Sequence, residues 1–354
     1  MDPVIWRNAP LTLINEDIRT ILANLRLFPL ILWPVITNVP TSELFINIPD
    51  SLAFAWQVFL AIGFLMVFTI VISALFLPML PIHWVCLVLI ISTIIYIFLL
   101  RLSGPIIVQS TEPEKENLQE EWFFVNGICT GHQWMIENVN LLANIFGRRI
   151  TGIHNKTFGI FGDLIECLIQ RDFNYMTFDA LVTYNLVRKA LLNESTKKVV
   201  LLGHSQGGLI VTLVVDRLLS EMSQDVLAKL EVYTFASFAN HFSDPLESRA
   251  IRHEEKGTAQ EKTDRARERH VIHYVEHFAN EGDFVSRVGV LHYSGRVDQF
   301  YGKLFHLPST GHLLNQHYLH NMFTFKADAE LWVPNHLVMK SRLTQYLNGA
   351  EPRF

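Results

Sequence analysis

The sequence is poor in charged residues and in cysteine. Among its 354 residues only 18% are charged, and the three cysteines are Cys86, Cys129 and Cys167. Three cysteines are too few for a disulfide framework, so a reducing compartment fits better. The formal net charge of −5 reflects no excess of basic residues, which argues against a nucleic-acid partner.

Charged side chains are missing altogether from residues 51–100, and the mean hydropathy of the chain is positive, at +0.24. Two prolines near the middle divide this stretch into two apolar runs, 52–77 and 82–100. The first run is long enough to cross a bilayer core, which takes about 20 apolar residues, and the second is just long enough. We therefore predict a transmembrane helical hairpin over residues 51–108. A buried helical pair in a large soluble protein is the alternative.

The segment before this hairpin, residues 1–50, mixes apolar and charged residues. It could form an amphipathic helix on the membrane surface or pack against a later domain, and the sequence does not decide between the two. Its start lacks the basic leader of a secretory signal, so we expect no cleaved signal peptide.

The distribution of basic residues predicts which side of the membrane the later domain occupies. Arginines precede the first apolar run and follow the second, whereas the turn between the runs has none. By the positive-inside rule, we expect an endomembrane protein, such as one of the endoplasmic reticulum, with its later domain in the cytosol. Glycosylation sequons at Asn155 and Asn193 indicate the opposite side.

Residues 121–354 have the pattern of an α/β domain, after a polar linker predicted at 109–120. Apolar runs that predict strands lie at 122–125, 150–153, 198–202, 230–236 and 271–277. Amphipathic stretches that predict helices lie between them, at 133–145, 178–192 and 206–219. This alternation predicts a mostly parallel sheet covered by helices on both faces. A run of charge at 247–270 predicts a solvated insertion.

The strongest chemical signal is Gly203-His204-Ser205-Gln206-Gly207, a G-x-S-x-G motif. The motif lies between a predicted buried strand and a predicted apolar helix. So sharp a turn needs glycine on both sides, because a side chain there would collide, and it pushes the serine hydroxyl out of the sheet. A bare G-x-S-x-G often arises by chance, but this context predicts Ser205 as a nucleophile.

A nucleophilic serine needs a histidine to take its proton and a carboxylate to orient that histidine. In the fold that carries this motif, the acid follows the serine and the histidine comes last. Asp283 lies just past a predicted strand and is the predicted acid, with Glu281 as its competitor. His312 lies in a loop and is the predicted base, with His317 as the alternative. Three further histidines are predicted to be structural: His273, His277 and His320.

The backbone N–H of Gln206 is the first predicted donor of an oxyanion hole. The second donor is expected from the loop that begins Asn126-Gly127-Ile128, where Ile128 has the appropriate position. This loop resembles the His-Gly turn of lipases, with asparagine in place of histidine. Cys129 is predicted to pack rather than to react. The histidines lack zinc-binding motifs, and we expect neither a metal nor an organic cofactor.

Residues 120–325 resemble the α/β-hydrolase superfamily, and more narrowly a group of fungal membrane-anchored, lipase-like hydrolases of mostly unassigned substrate. The resemblance is carried by Glu121–Gly127, Leu168–Arg171, Gly203–Gly208, Gly282–Arg287 and Gly311–Leu319. It implies an α/β-hydrolase fold with a Ser-Asp-His triad, but no established reaction.

From these features together we expect a membrane-anchored esterase or lipase. It would act through an acyl-serine intermediate on a lipophilic substrate delivered from the lipid bilayer. Two alternatives stay open: acyl transfer or ring closure on the same triad, and a non-catalytic membrane scaffold. The sequence does not indicate the oligomeric state.

Overall fold

The computed structural model describes residues 10–45, 48–76, 86, 89–93, 104–111, 119–157, 159–247, 270–295 and 300–352. Its strands are β1 Ile107–Gln109, β2 Glu120–Val125, β3 Ile150–Ile153, β4 Lys198–His204, β5 Leu230–Phe235, β6 Tyr274–Gly282, β7 Lys303–Thr310, β8 Phe323–Lys326 and β9 Leu331–Pro334. Its α-helices are α1 Pro10–Asn24, α2 Ile48–Phe76, α3 His132–Phe146, α4 Ile160–Phe173, α5 Phe178–Leu192, α6 Gln206–Glu221, α7 Gln224–Leu227, α8 Phe284–Val288, α9 Val290–Tyr293 and α10 His320–Met322. Two 3₁₀ segments and one π-helical segment complete the elements: Leu25–Leu32, Leu343–Gly349 and Leu314–Leu319.

Seven of the described strands form one sheet in the order β1-β3-β2-β4-β5-β6-β7. Neighbouring strands are parallel except β1, which runs antiparallel to β3. Strands β8 and β9 form a separate antiparallel ribbon. The mostly parallel sheet with helices packed on it confirms the predicted α/β class.

The central strand β4 explains why the predicted strands are continuous apolar runs. Every residue of β4 after Lys198 is buried, because helices cover both faces of a parallel sheet. Val199 and Leu201 point into one hydrophobic cluster, together with α5 and α6. Val200 and Leu202 point into the other, together with α3. The alternation of side chains along the strand thus builds two cores from one sequence run.

The sheet begins earlier in the chain than predicted. Strand β1 pairs with β3 although it lies where we placed the end of the hairpin and the start of the linker. Strand β6 begins at Tyr274 and continues to Gly282, so it is shifted toward the C-terminus relative to the predicted 271–277. An edge strand of three residues is too short to be recognised by its pattern.

One described helix is long and apolar enough to cross a membrane. The candidate span is Ala55–Ser73 in α2, and only 6% of its most apolar window is buried inside the protein. The second half of the predicted hairpin lies outside the described residues apart from 86 and 89–93, so the hairpin stays a prediction. Residues 248–269 of the predicted charged insertion also lie outside them.

Residues 10–45 pack against the α/β domain, which is one of the two alternatives left open by the sequence. The Asp17 carboxylate of α1 lies 2.8 Å from the guanidinium of Arg171 in α4, and both side chains are buried. Further along, the Glu43 carboxylate accepts N–H bonds from the first turn of the π-helical segment, at 2.7 and 3.0 Å. The N-terminal segment is therefore held against the domain at both ends.

Candidate active site

The turn from β4 into α6 holds Ser205 in a strained conformation. The serine has φ 58° and ψ −120°, and this positive φ is uncommon for a residue with a Cβ and costs about 1–3 kcal/mol. The close approach of α6 to β2 imposes this turn. A Cβ added at Gly207 would lie 2.1 Å from the carbonyl oxygen of Val125, so only glycine fits there.

The structure brings the predicted serine, histidine and aspartate together. Nε2 of His312 lies 2.9 Å from Oγ of Ser205, and Nδ1 lies 2.9 and 3.1 Å from the two carboxylate oxygens of Asp283. A carboxylate only accepts, so Nδ1 carries the ring proton and Nε2 is free to accept from the serine hydroxyl. All three residues are at most 6% exposed.

Asp283 is kept ionised although it is fully buried. Burial is the largest single influence and would raise its pKa, but the neighbouring His312 ring and the hydrogen bonds to the carboxylate together outweigh it, so the pKa is lowered. Tyr318 Oη donates to the carboxylate at 2.7 Å, and the Val285 N–H donates at 2.9 Å. The Ser286 hydroxyl adds a third bond at 3.1 Å. Neither Tyr318 nor Ser286 was predicted from the sequence. Ser286 could have been found, because an aspartate at the start of a helix accepts hydrogen bonds from the first turn, and Ser286 lies in that turn, three residues after Asp283.

The loop after β2 passes directly over the nucleophile. A Cβ added at Gly127 would lie 3.1 Å from Ser205 Oγ, so no side chain fits between loop and serine. Asn126 holds this loop against the segment after β3, because its Nδ2 donates to the carbonyls of Gly127 and Asn155 at 2.9 and 3.0 Å. Ile128 follows on this loop, and its role as an oxyanion donor stays a prediction.

A family model described as "Putative serine esterase (DUF676)" matches residues 167–242. This match contains the elbow around Ser205. Together with the geometry of Ser205, His312 and Asp283, it supports a serine hydrolase of the α/β-hydrolase type. No curated protein sequence matches the chain significantly.

Several solved structures are similar to this chain, and two of the following three are esterases by name. Esterase Est22 is 13% identical over 57% of this chain and 67% of its own, with a TM-score of 0.34. Est1E from Butyrivibrio proteoclasticus is 15% identical over 58% and 84%, with a TM-score of 0.31. The Francisella virulence factor BioJ is 12% identical over 64% and 82%, with a TM-score of 0.35. These TM-scores are low, and the fold assignment rests on the strand order, the elbow and the family match.

The alternatives to the acid and the base of the hydrolase lie outside the triad. Nδ1 of His317 accepts the N–H of Leu313 at 3.0 Å, so the ring is engaged within its own turn. Burial, followed by the nearby His312, lowers the pKa of His317 to about 4, and the ring is neutral at pH 7. Glu281 is exposed at the end of β6.

The remaining downstream histidines have partners away from the nucleophile. His277 is buried in β6, where its Nε2 donates to the Tyr301 carbonyl at 2.8 Å. His273 contacts the Glu247 carboxylate at 2.9 Å, and His320 contacts a threonine hydroxyl of the N-terminal segment at 2.8 Å.

The side chain of Gln206 belongs to a polar network that the sequence analysis did not predict. Its Nε2 donates to Glu166 Oε2 at 3.1 Å and to Gln170 Oε1 at 3.0 Å, both in α4. Its Oε1 accepts from Asn155 Nδ2 at 2.5 Å. Burial, followed by the charge of Asp179, raises the pKa of Glu166 to about 7. The network fixes the residue next to the nucleophile from the α4 side.

Cys129 lies near the nucleophile but lacks the environment of a reactive thiol. Burial and then the carboxylate of Asp163 raise its pKa well above the usual value, so the thiol stays protonated. Its backbone N–H donates to Asp163 Oδ2 at 2.8 Å.

Proposed function

We propose that this hydrolase is a membrane-anchored esterase or lipase that cleaves an ester of a lipophilic substrate through an acyl-serine intermediate. The observation that carries the proposal is the hydrogen-bonded chain from Ser205 Oγ through His312 to Asp283. Oγ attacks the ester carbonyl while His312 Nε2 takes its proton. The imidazolium then donates that proton to the departing alcohol, and water releases the acid by the same route.

The negative charge that develops on the carbonyl oxygen needs fixed donors. The backbone N–H groups of Gln206, at the start of α6, and of Ile128, in the loop over the nucleophile, are our candidates. Donors held rigidly in a buried site stabilise such a charge without reorganising, and losing one typically costs about 10² to 10³ in kcat. The Gln206 network and the Asn126 bonds supply this rigidity.

The membrane part of the proposal rests on helix α2. Its span Ala55–Ser73 has no charged side chain, and only 6% of its most apolar window is buried inside the protein. A helix of this composition is stable in water only if something covers it, and a bilayer does so. A hydrolase fixed there meets substrates that partition into lipid.

We further propose that the catalytic domain faces the cytosol, as the positive-inside rule favours. The sequon at Asn155 is no acceptor in the folded protein, because this side chain is 4% exposed and bonds to Gln206. Asn193 is exposed and is the informative site. The test is endoglycosidase treatment of protein from native membranes. We expect no mobility shift, and a shift lost in Asn193→Gln would place the domain in the lumen.

The catalytic assignment is tested by labelling with a fluorophosphonate probe and by turnover of lipophilic esters. Ser205→Ala should abolish both, and His312→Ala should lower kcat about as strongly, by roughly 10⁴ to 10⁶. His317→Ala is the matched control: its buried ring bonds to the Leu313 N–H and not to Ser205 or Asp283, so its kcat should fall by no more than about tenfold. Labelling that persists in Ser205→Ala, or a dead His317→Ala beside an active His312→Ala, contradicts the assignment.

A further inference from the structure

Helix α4 has the reverse of the usual polarity. The side chains of Asp163, Gln170 and Arg171 on its inner face are at most 2% exposed. Its exposed side chains are all large and apolar, with exposures of 37 to 58%: Phe161, Leu164, Ile165, Ile169 and Phe173. An amphipathic helix of a soluble domain is expected to turn its apolar stripe inward.

These five apolar residues form one continuous patch, which we call the outer face of α4. They recur every three or four positions, so they share one side of the helix. Tyr175 and Phe178 extend the patch beyond the helix end, with exposures of 58 and 73%. An exposed apolar patch of this extent marks a surface that meets another apolar phase.

Helix α2 packs beside α4 within its candidate membrane span. The ring of Phe64 stacks on that of Phe161 at a centroid distance of 5.8 Å. One turn earlier, a Cβ added at Gly159 would lie 3.1 Å from Leu60 Cβ. Contact between the two helices thus falls inside Ala55–Ser73, not on a stretch outside the span.

The length of α2 fixes how deep α4 must lie. Only the 12 residues from Leu65 to Phe76 follow this contact within the helix. They rise about 18 Å at 1.5 Å per residue, which is less than the bilayer core of about 30 Å. If α2 crosses the membrane as proposed, these 12 residues cannot span the core by themselves, so the turns of α2 that contact Phe161 also lie within the bilayer. The start of α4 then lies at the same depth.

We propose that the outer face of α4 is inserted among the lipid acyl chains of the leaflet next to α2. This inference rests on the proposed membrane anchor and extends the proposed function. The inner face of α4 carries Glu166 and Gln170, which bond to Gln206 beside the nucleophile. One helix, about 10 Å thick, then separates lipid from Gln206, the residue after the nucleophile. The substrate class is then an ester that resides among acyl chains.

The depth of the outer face is measured on the full chain in phosphatidylcholine vesicles. The chain carries Cys86→Ser and one added cysteine bearing an environment-sensitive fluorophore. Burial raises the pKa values of the half-buried Cys129 and the buried Cys167, and the chain without an added cysteine measures any background label on them. The added cysteine is Ile165→Cys in α4, Met66→Cys in α2 as the anchor position, or Phe325→Cys as the control. Phe325 is 48% exposed on the β8–β9 ribbon, which packs on the opposite face of the sheet from α4.

We expect doxyl-labelled lipids to quench the fluorophore at positions 165 and 66 at least twofold and to leave position 325 unchanged. Aqueous iodide should quench only position 325. Quenching of position 165 by iodide overturns the inference, because the face is then in water. If neither quencher lowers the fluorescence at position 165, the inference is overturned too, because protein then covers the face.

The same measurement separates this inference from the proposals on which it rests. It needs no catalysis and is repeated in the Ser205→Ala chain, so a failed esterase assignment leaves the quenching result intact. Lipid quenching at 66 without quenching at 165 retains the anchor and rejects the docking. Iodide quenching at 66 rejects the anchor itself, and the docking with it.

Discussion

Helices α4 and α6 adjoin the same nucleophile but are built in opposite ways. The first ten residues of α6, Gln206 to Val215, are all buried and mostly apolar. In α4 the buried residues are mostly polar, and the exposed ones are apolar. Helix α6 lies between the sheet and neighbouring helices, where packing excludes water on every side. Helix α4 lies between the domain and the proposed membrane, so its polar side chains face the domain and its apolar side chains face the lipid.

The difference shows two ways of fixing an active-site residue. Helix α6 positions Ser205 by close packing of its backbone against β2, which tolerates no added atom at Gly207. Helix α4 positions Gln206 and the N-terminal segment by directed polar bonds from its inner face. A closely packed backbone is disrupted by an added side-chain atom, whereas a buried polar contact is disrupted by the loss of one charged partner. The three predictions below test these two modes.

Adding one methyl group at the start of α6 should have the largest effect. Gly207→Ala places a Cβ 2.1 Å from the Val125 carbonyl oxygen, so α6 must shift and carry Ser205 with it. A displacement of about 1 Å at a catalytic group can cost about 100-fold, and we expect at least that loss of ester turnover. Gly63→Ala in α2 is the control, because nothing lies within 4 Å of its added Cβ. Equal activity of the two variants would show that the close approach is unimportant.

Removing the buried cation of α4 should come second, as a loss of stability. Arg171→Met leaves the Asp17 carboxylate buried without its partner at 2.8 Å. Breaking such a pair costs about 3–5 kcal/mol, which lowers the thermal unfolding midpoint by about 10 °C. The added change Asp17→Asn should restore part of this loss, because it removes one of the two buried carboxyl groups that Arg171 faces, Asp17 and Asp172.

The matched pair on α6 is Arg217–Glu221, which joins side chains about 40% exposed at 2.9 Å. Arg217→Met should leave the midpoint nearly unchanged, since exposed pairs contribute little. A midpoint that falls as far in Arg217→Met as in Arg171→Met would remove the contrast between the two helices.

The same contrast explains what could be predicted from the sequence. Helix α6 and strand β4 were recognised because their residues face a core, where hydrophobic periodicity reports burial directly. The elbow, the strand ending before Asp283 and the loop at His312 are local patterns. They suffice because parallel strands bring their carboxyl ends to one edge of the sheet. The three side chains that the structure brings together, Ser205, Asp283 and His312, could therefore be predicted from the sequence.

Features that depend on long-range contacts could not be predicted. Helix α4 was not identified, because the rule that apolar residues face inward fails for it. Tyr318 reaches the Asp283 carboxylate only through the π-helical turn after His312, and no spacing rule predicts such a turn. The packing of residues 10–45 depends on pairs such as Asp17 and Arg171, which lie far apart in sequence.

The smallest expected effect is a pH dependence confined to the inner face of α4. In the folded protein the pKa of Glu166 is raised to about 7, above its ordinary value of 4.5. The folded state therefore binds this proton more tightly than the unfolded state. Its contribution to stability is complete below pH 4.5 and is lost as the pH rises through about 7. Glu166→Gln cannot titrate, so the midpoint of the wild type should fall relative to this variant between pH 5 and pH 8.

The control for this measurement is Glu221→Gln on α6. Hydrogen bonds from Tyr184 and Arg217 lower the pKa of Glu221, so it is ionised throughout this range. The midpoint difference between wild type and Glu221→Gln should therefore stay constant from pH 5 to pH 8. Asp172, whose pKa is also raised to about 7, titrates in all three proteins and cancels in each difference. A constant difference for Glu166→Gln as well would mean that Glu166 is already ionised at pH 5. Its hydrogen bond to Gln206 would then join a charged carboxylate to the amide, and the inner face of α4 would carry one more charge than we assign to it.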